Sequence, residues 1–240
     1  MGYQMTFKRY ELKYLLSGQE KEQILQSMKG HMKLDSYGRT TIRNIYFDTD
    51  TFRLIRRSLE KPVYKEKLRV RSYQPVCQED PVFVELKKKY QSVVYKRRLV
   101  LPQSQVMNSL GCGKLLPVNS QIGKEIRYFQ KYYGSLLPAV FLSYEREAYY
   151  ALDGSDFRVT FDENILYRKN ELSLGSKIYG TPLLEKNQTL MEIKTAGGIP
   201  LWMSRALTQN RLFKTSFSKY GLAYQRMMAE REEQGGIRYA

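Results

Sequence analysis

Histidine and cysteine are scarce in this sequence. Among its 240 residues there are one histidine, His31, and two cysteines, Cys77 and Cys112. Two cysteines this far apart do not make a disulfide framework or a CxxC metal site, and a single histidine excludes a metal site built from several histidines. His31 lies in a lysine-rich stretch at the expected end of a helix, which favours an ordinary surface histidine. Catalysis therefore has to rely on carboxylates, Lys, Arg, Tyr or a metal held by oxygen ligands.

Long apolar runs are also lacking. No stretch approaches the roughly 20 apolar residues that a membrane-spanning helix needs, and an apolar run such as residues 136–142 has the length of a strand. The N-terminus has no apolar segment typical of a signal peptide. We therefore expect a cytoplasmic protein without a transmembrane segment.

Negative charge is in the minority. The sequence has 40 Lys and Arg against 24 Asp and Glu, which gives a formal net charge of +16. This excess indicates an anionic partner, such as nucleic acid, a membrane surface, a nucleotide or polyphosphate. No repeat or Pro-rich linker divides the chain, so we predict one domain over residues 1–229 and a polar, flexible tail over residues 230–240.

Several segments have the pattern of helices. Ser17 and Glu20 form a capping-box pattern ahead of apolar residues at helical spacing, which predicts a first helix. A second helix is predicted to begin near Asn119 and to end at Gly134, because glycine often stops helices. A third is predicted to begin at Pro200 and a fourth near Ser218, with a short helical segment over residues 103–110.

The remaining segments alternate like strands. Lys67, Arg69 and Arg71 share one face of a predicted strand, and Leu68 and Val70 share the other. Three more predicted strands place a carboxylate two residues from a lysine: Glu11 and Lys13, Glu85 and Lys87, Glu192 and Lys194. A charged face opposite an apolar face is ordinary for an antiparallel sheet with one side in water, but here the same grouping recurs. We predict an α+β fold, a closed antiparallel β-barrel with a charged lumen and helices packed outside.

Such a lumen would need an anionic ligand. Repulsion among its cations would be costly without one, and the forked donors of Arg suit phosphate. Carboxylates among phosphate-binding cations indicate a divalent metal, since Mg²⁺ and Mn²⁺ take oxygen ligands and bridge to substrate phosphates.

Eight short stretches occur in a characteristic order: RYELKY (9–14), YFDT (46–49), LRVR (68–71), VFVELK (82–87), YER (144–146), RVTFD (158–162), MEIK (191–194) and FSKY (217–220). With them, residues 7–224 resemble the VTC domain, the polyphosphate polymerase domain of the vacuolar transporter chaperone family, in its stand-alone prokaryotic form. That domain belongs to the triphosphate tunnel metalloenzyme superfamily, together with the CYTH phosphatases.

The resemblance implies a closed tunnel in which the terminal phosphate of ATP, or of another NTP, is moved onto a growing polyphosphate chain. It implies that nine cations bind phosphate, and that all of them except Lys96 and Lys219 are catalytic: Lys13, Arg69, Arg71, Lys87, Lys96, Arg146, Arg158, Lys194 and Lys219. Glu192 would be a catalytic residue and the principal ligand of Mn²⁺ or Mg²⁺, and Tyr144 would lie near the nucleotide. Glu11 and Glu85 are further candidates, either for the metal or for orienting cations.

Two other functions stay open. The first is a tunnel phosphatase that hydrolyses inorganic triphosphate, polyphosphate or a nucleoside or thiamine triphosphate, with Glu85 or Glu11 as the candidate base. Where the CYTH branch has Glu-x-Glu-x-Lys on its first strand, this sequence has Arg9 in the first position, which favours the polymerase. The second is a non-catalytic module that binds polyanions or nucleic acid, consistent with the net charge and with 20 tyrosines.

The Glu-x-Lys pairs would place carboxylates next to a phosphate backbone, where they would repel it unless a metal were bound. We therefore expect no nucleic acid as a partner. A peripheral contact with a membrane partner is compatible with the charge, and nothing in the sequence indicates an oligomeric state.

Overall fold

A computed structural model describes residues 10–91 and 93–236, with side chains described as far as residue 233. Arg9, the first residue of the Arg-x-Glu-x-Lys pattern, and residues 237–240 of the predicted tail lie outside the described residues. The strands are β1 (Tyr10–Leu16), β2 (Met32–Leu34), β3 (Thr40–Asp48), β4 (Tyr64–Ser72), β5 (Pro81–Tyr90), β6 (Val93–Pro102), β7 (Leu137–Ala151), β8 (Arg158–Arg168), β9 (Thr181–Pro182) and β10 (Thr189–Thr195). The helices are α1 (Gly18–Met28), α2 (Arg53–Leu59), α3 (Gln103–Ser109), α4 (Gln121–Tyr133), α5 (Leu201–Gln209) and α6 (Lys219–Gly236).

All strands belong to one antiparallel sheet. Its order is β1-β10-β8-β7-β3-β4-β5-β6, with β2 paired to β7 and β9 paired to β8. The α+β class is thus confirmed, and every strand predicted from alternation is present.

The sheet is open, so the prediction of a closed barrel is wrong. Over the described residues, the hydrogen-bonded path ends at β1 on one side and at β6 on the other. A side-chain ion pair between β5 and β1 reaches across instead, with Lys87 Nζ 2.8 Å from a carboxylate oxygen of Glu11. Alternation determines which face a side chain takes, but it does not specify whether two edge strands come close enough for backbone hydrogen bonds.

Most helices pack on the outer face of the sheet. Residues of α3 and α4 share a buried apolar cluster with β3 to β6, and residues of α1 and α5 share another with β1, β8 and β10. The capping box of α1 is formed, since Ser17 Oγ accepts a hydrogen bond from Glu20 N, and the Glu20 carboxylate accepts one from Ser17 N.

Helix α6 departs from the predicted arrangement. Its residues Tyr220, Ala223 and Met227 pack against Tyr46 and Tyr144, whose side chains lie on the inner face of the sheet. The prediction that the helices all pack outside is therefore wrong for α6. Residues 230–236, predicted as a tail, are helical in α6.

Helix α2 was not predicted, because its cap comes from Asp48, which precedes the N-cap residue Phe52. Phe52 precedes the helix in a left-handed conformation and offers no side-chain cap. Instead the buried carboxylate of Asp48, at the end of β3, accepts hydrogen bonds from Leu54 N and Ile55 N at 2.8 and 3.0 Å. Asp48 also accepts a bond from the Tyr220 hydroxyl at 2.9 Å and thereby ties β3 and α2 to α6.

Candidate active site

A cavity of about 830 Å³ lies on the inner face of the sheet, and cations dominate its lining. Eight strands and the segment 214–220 contribute to it, because alternate residues of each strand point inward. We call it the basic cavity. Its charged lining residues are Lys13, Lys65, Lys67, Arg69, Arg71, Lys87, Lys89, Lys96, Arg98, Arg146, Arg158, Lys194, Lys214, Lys219, Glu11 and Glu192.

All nine cations predicted to bind phosphate line the basic cavity, together with Glu192, Tyr144 and Glu11. Glu85 lies behind the lining and is 1% exposed. Arg158 is exposed to solvent while it lines the cavity, so it lies where the cavity opens. His31 is outside the cavity, exposed, and stacked on Trp202 with 4.5 Å between ring centroids.

Glu192, on β10, is the most heavily paired carboxylate that faces the cavity. Its oxygens contact Lys194 Nζ at 3.0 Å, Lys219 Nζ at 3.3 Å and Arg146 Nη2 at 3.5 Å, and Lys13, opposite it in register on β1, also contacts it. Burial by itself would raise the pKa of Glu192, but the surrounding cations, with Lys13 first, hold that pKa well below its usual range. The carboxylate is therefore ionised.

Asp162 is a site residue that the sequence reasoning missed. It lies on β8, fully buried, and makes a two-bond ion pair with Arg146 and a 2.5 Å contact with Lys219. Asp162 alternates with Arg158 and Thr160 along the strand, so the sequence pattern could have placed it on the same face as Arg158. Asp162 and Glu192 together hold Arg146 and Lys219 at one end of the cavity.

Glu85, on β5, organises a second group of cations. One oxygen accepts a hydrogen bond from Arg98 Nε at 2.8 Å and contacts Lys96 Nζ at 2.6 Å, and the other accepts from Arg69 Nε at 2.9 Å. Burial favours a raised pKa, but these cations and Arg71 hold the pKa of Glu85 well below its usual range. Both oxygens of Glu85 are occupied, as are those of Glu192, but Glu85 does not line the cavity, which fits a residue that orients cations.

Tyrosine hydroxyls hold the arginines of β4. Arg69 Nη1 donates to the Tyr46 hydroxyl at 3.0 Å, and Arg71 Nη2 donates to the Tyr144 hydroxyl at 2.9 Å. Burial raises the pKa of Tyr144, but Arg71 and Arg146 outweigh it and lower that pKa. Tyr144 is 3% exposed, and Lys219 lies 4.6 Å from its ring centroid, so the ring has little surface to offer a nucleotide base.

Lys67 was predicted to share the charged strand face with Arg69 and Arg71, but it was given no role in the site. Its Nζ donates to Ser218 Oγ at 2.8 Å. Burial, followed by the charges of Lys87 and Lys65, lowers the pKa of Lys67 to about 7. The pKa of Lys96 is also lowered to about 7, by burial and by Arg71 and Arg69 against the opposing effect of Glu85. Burial is the main cause for both of these partly buried lysines, and the neighbouring cations lower their pKa values further.

The oxygen donors in the cavity fit a divalent metal that takes most of its ligands from elsewhere than the protein. Over residues 10–91 and 93–236, no group of three or more His, Cys, Asp or Glu residues is placed to hold a metal ion. Mg²⁺ commonly uses one or two carboxylates and takes its remaining ligands from water and substrate phosphates. Glu192 faces the cavity and supplies one such carboxylate, whereas Glu85 is enclosed by cations.

A family model for the VTC domain matches residues 8–228. Among solved structures, a candidate adenylate cyclase from Bacillus halodurans is similar to this chain, with 16% identity and a TM-score of 0.56 over 89% of this chain and 95% of that one. A candidate adenylate cyclase from Vibrio parahaemolyticus has 12% identity and a TM-score of 0.48, over 90% and 98% of the two chains. No curated protein matches the sequence. None of the helices in the described part of the chain is both long and apolar enough to cross a membrane.

Proposed function

The chain belongs to the VTC domain family, and we propose that it transfers the terminal phosphate of ATP, or of another NTP, onto an inorganic polyphosphate chain bound in the basic cavity. The observation that carries this proposal is the cation lining, which surrounds the inward-facing, ionised carboxylate of Glu192. A cavity lined by so many cations is stabilised by an anion with many charges along its length.

The positions along β4 suit a chain of phosphates. Lys65, Lys67, Arg69 and Arg71 alternate along the strand and all line the cavity, so they span roughly 20 Å at the rise of an extended strand. One linear polyanion can therefore contact several of them at once. Arginine forks bind non-bridging oxygens in pairs, and lysines contribute single charges.

Phosphoryl transfer needs positioning and charge neutralisation more than covalent chemistry from the protein. In the proposed reaction, a terminal oxygen of the acceptor chain bonds to the γ-phosphorus of the nucleotide. The bond from that phosphorus to the β–γ bridging oxygen breaks, and the nucleoside diphosphate leaves with the electron pair. The acceptor oxygen is already anionic at neutral pH, so no histidine base is needed.

Glu192 is the residue that would hold Mn²⁺ or Mg²⁺ together with substrate phosphates, and the bound ion would neutralise charge on the transferring group. The four cations that contact Glu192 would then be available to phosphate oxygens. Asp162 keeps Arg146 and Lys219 oriented during this exchange, because it contacts both of them independently of Glu192.

The carboxylates favour transfer to a chain over hydrolysis. A general base works best when its pKa lies near the working pH. Burial raises the pKa of Glu11, but the charge of Lys87 outweighs this effect, and the resulting pKa is about 2. The pKa of Glu85 is also well below its usual range. Both are weak bases at neutral pH, so neither is suited to activating water.

The test is a product assay with a matched variant. Purified protein is incubated with ATP, Mn²⁺ and a diphosphate primer, and both ADP release and polyphosphate on a gel are followed. We expect long chains from the wild type. In Glu192→Gln we expect the transfer rate to fall by more than about 100-fold, because loss of a residue that merely supports a metal ligand already costs up to about 100-fold. Glu147→Gln is the control, because Glu147 pairs with Lys21 outside the cavity. Full activity of Glu192→Gln with Mn²⁺ would contradict the role given to this residue.

A further inference from the structure

Two arginines are buried on the outer face of the sheet, away from the basic cavity. Arg43, on β3, is 7% exposed, and Arg168, at the end of β8, is 6% exposed. The neighbour of Arg43 along β3, Asn44, accepts a hydrogen bond from Arg71 of the cavity lining. Because successive strand residues take opposite faces, Arg43 lies on the side opposite the cavity.

Arg43 has no polar partner among the described residues. Its Nε is buried and makes no hydrogen bond, and no carboxylate of the described chain forms an ion pair with it. Burial and the charge of Arg168 both lower the pKa of Arg43. A positive charge on a side chain that is 7% exposed destabilises the fold unless an anion pairs with it.

Two hydroxyls beside Arg43 are also without partners. Ser72 lies directly opposite Arg43 on β4, and Ser143 lies directly opposite it on β7. The Oγ atoms of both serines are buried and make no hydrogen bond to any residue that the structure describes. Buried polar groups in folded proteins are nearly always paired, so three unsatisfied groups in one row across three strands indicate a missing common partner.

Arg168 organises the segment that covers this row. Its guanidinium donates to the backbone carbonyls of Glu171, Ser173 and Tyr179, at 3.0 to 3.3 Å, and it lies 3.6 Å from the ring centroid of Phe141. Phe141 is on β7, two residues before Ser143 and on the same face. Residues 171–179 are therefore held over the outer face next to Arg43 by a second cation.

We propose that Arg43, Ser72 and Ser143 form a second anion-binding site, which takes one small inorganic oxyanion of the phosphate class beneath the segment 171–179. An oxyanion accepts from the guanidinium and from both hydroxyls, and it also supplies the counter-charge that a water molecule would not. The burial of all three side chains restricts the site to a small ion. The proposal does not depend on the activity of the basic cavity, because the two sites lie on opposite faces of the sheet.

Hydrogen exchange of the covering segment tests this site, because phosphate also binds in a cation-lined cavity and a global readout would mix the two. Exchange of the amides in residues 72–76 and 171–179 is followed in the full chain with inorganic phosphate and with chloride at equal ionic strength. We expect phosphate, at about ten times its Kd, to slow exchange about tenfold relative to chloride. Arg43→Met should lose this protection, and Arg71→Met, which alters the cavity side of the same sheet, should retain it.

Thermal unfolding supplies a second readout. In phosphate-free buffer, Arg43→Met should unfold at the same temperature as the wild type or a higher one, because it removes an uncompensated buried charge. Ser143→Ala keeps the guanidinium of Arg43 and should reduce the protection by phosphate without abolishing it. This variant still tests the site if Arg43→Met does not fold. Equal protection by phosphate and chloride, or undiminished protection in Arg43→Met and Ser143→Ala, would overturn the proposal.

Discussion

Arg146 and Asp162 lie opposite each other in register on β7 and β8, and the guanidinium makes two bonds to the carboxylate, with N–O distances of 2.5 and 2.6 Å. Asp162 is fully buried and also contacts Lys219 of α6. One carboxylate thus fixes a strand cation and a helix cation relative to each other. Both cations also contact Glu192, so this pairing helps to position the cations around Glu192.

Replacing Asp162 should slow catalysis, although Asp162 is fully buried and does not contact substrate itself. Asp162→Asn keeps the shape of the side chain but leaves Arg146 and Lys219 with only Glu192 as an anionic partner. We expect the free energy of unfolding to fall by about 3–5 kcal/mol, as when one partner of a buried ion pair is removed, and transfer to slow by about 10–100-fold. Denaturant unfolding and steady-state kinetics measure the two effects. Asp153→Asn, in an exposed loop, is the control, and wild-type kinetics in Asp162→Asn would refute this positioning role.

Glu85 should matter for stability more than for metal binding. Glu85→Gln removes the charge that Arg69, Lys96 and Arg98 share. In phosphate-free buffer we expect a loss of about 3–5 kcal/mol in unfolding free energy, and addition of tripolyphosphate should recover part of it because the ligand replaces the lost anion. Thermal unfolding with and without tripolyphosphate measures both. A stability equal to that of the wild type, with a specific loss of Mn²⁺ affinity, would instead make Glu85 a metal ligand.

Ligand binding should be linked to proton uptake. Lys67 and Lys96 each have a pKa lowered to about 7, so both are largely neutral at pH 8 and become charged next to a polyanion. Affinity for tripolyphosphate should therefore fall between about pH 7 and pH 9, by up to about tenfold per pH unit for each proton taken up. Calorimetry at pH 8 in buffers of different ionisation enthalpy counts the protons.

Substitution of Lys67 separates its contribution from that of Lys96. Lys67→Arg stays charged throughout this range, so it should take up one proton fewer and show a flatter pH profile, whereas Lys33→Arg, outside the cavity, should behave as the wild type. For the ligand-free protein the sign is opposite. The unfolded lysines hold protons that the folded ones have lost, so stability rises from about pH 7 towards pH 10.4. An affinity that does not change between pH 7 and 9 would show that both lysines are charged before binding.

Much of the sheet and of the cavity lining could be predicted, because strand alternation is a local property. The parity of Lys67, Arg69 and Arg71 placed all three correctly on one face, and the capping box at Ser17 located the start of α1. The resemblance to the VTC domain supplied the roles of individual residues, which parity alone does not assign.

Most of the rest depends on contacts between distant segments. The open edge between β1 and β6 and the inward packing of α6 depend on residues far apart in the sequence. The cap that Asp48 gives to α2 is local, but it comes from a residue before the usual N-cap position. Asp162 was not predicted as a site residue, because a single carboxylate that alternates with apolar residues is typical of any solvent-exposed sheet face. Its importance comes from Arg146 and Lys219, which only the folded chain brings to it.

The most direct test of the central claim is a ³¹P NMR time course of the wild-type protein with ATP, Mg²⁺ and a diphosphate primer. Transfer to a chain predicts a growing resonance from internal phosphates, accompanied by ADP and by little orthophosphate. In Glu192→Gln this resonance should be absent. Release of orthophosphate with no internal-phosphate resonance would contradict the account and identify the basic cavity as the site of a phosphatase.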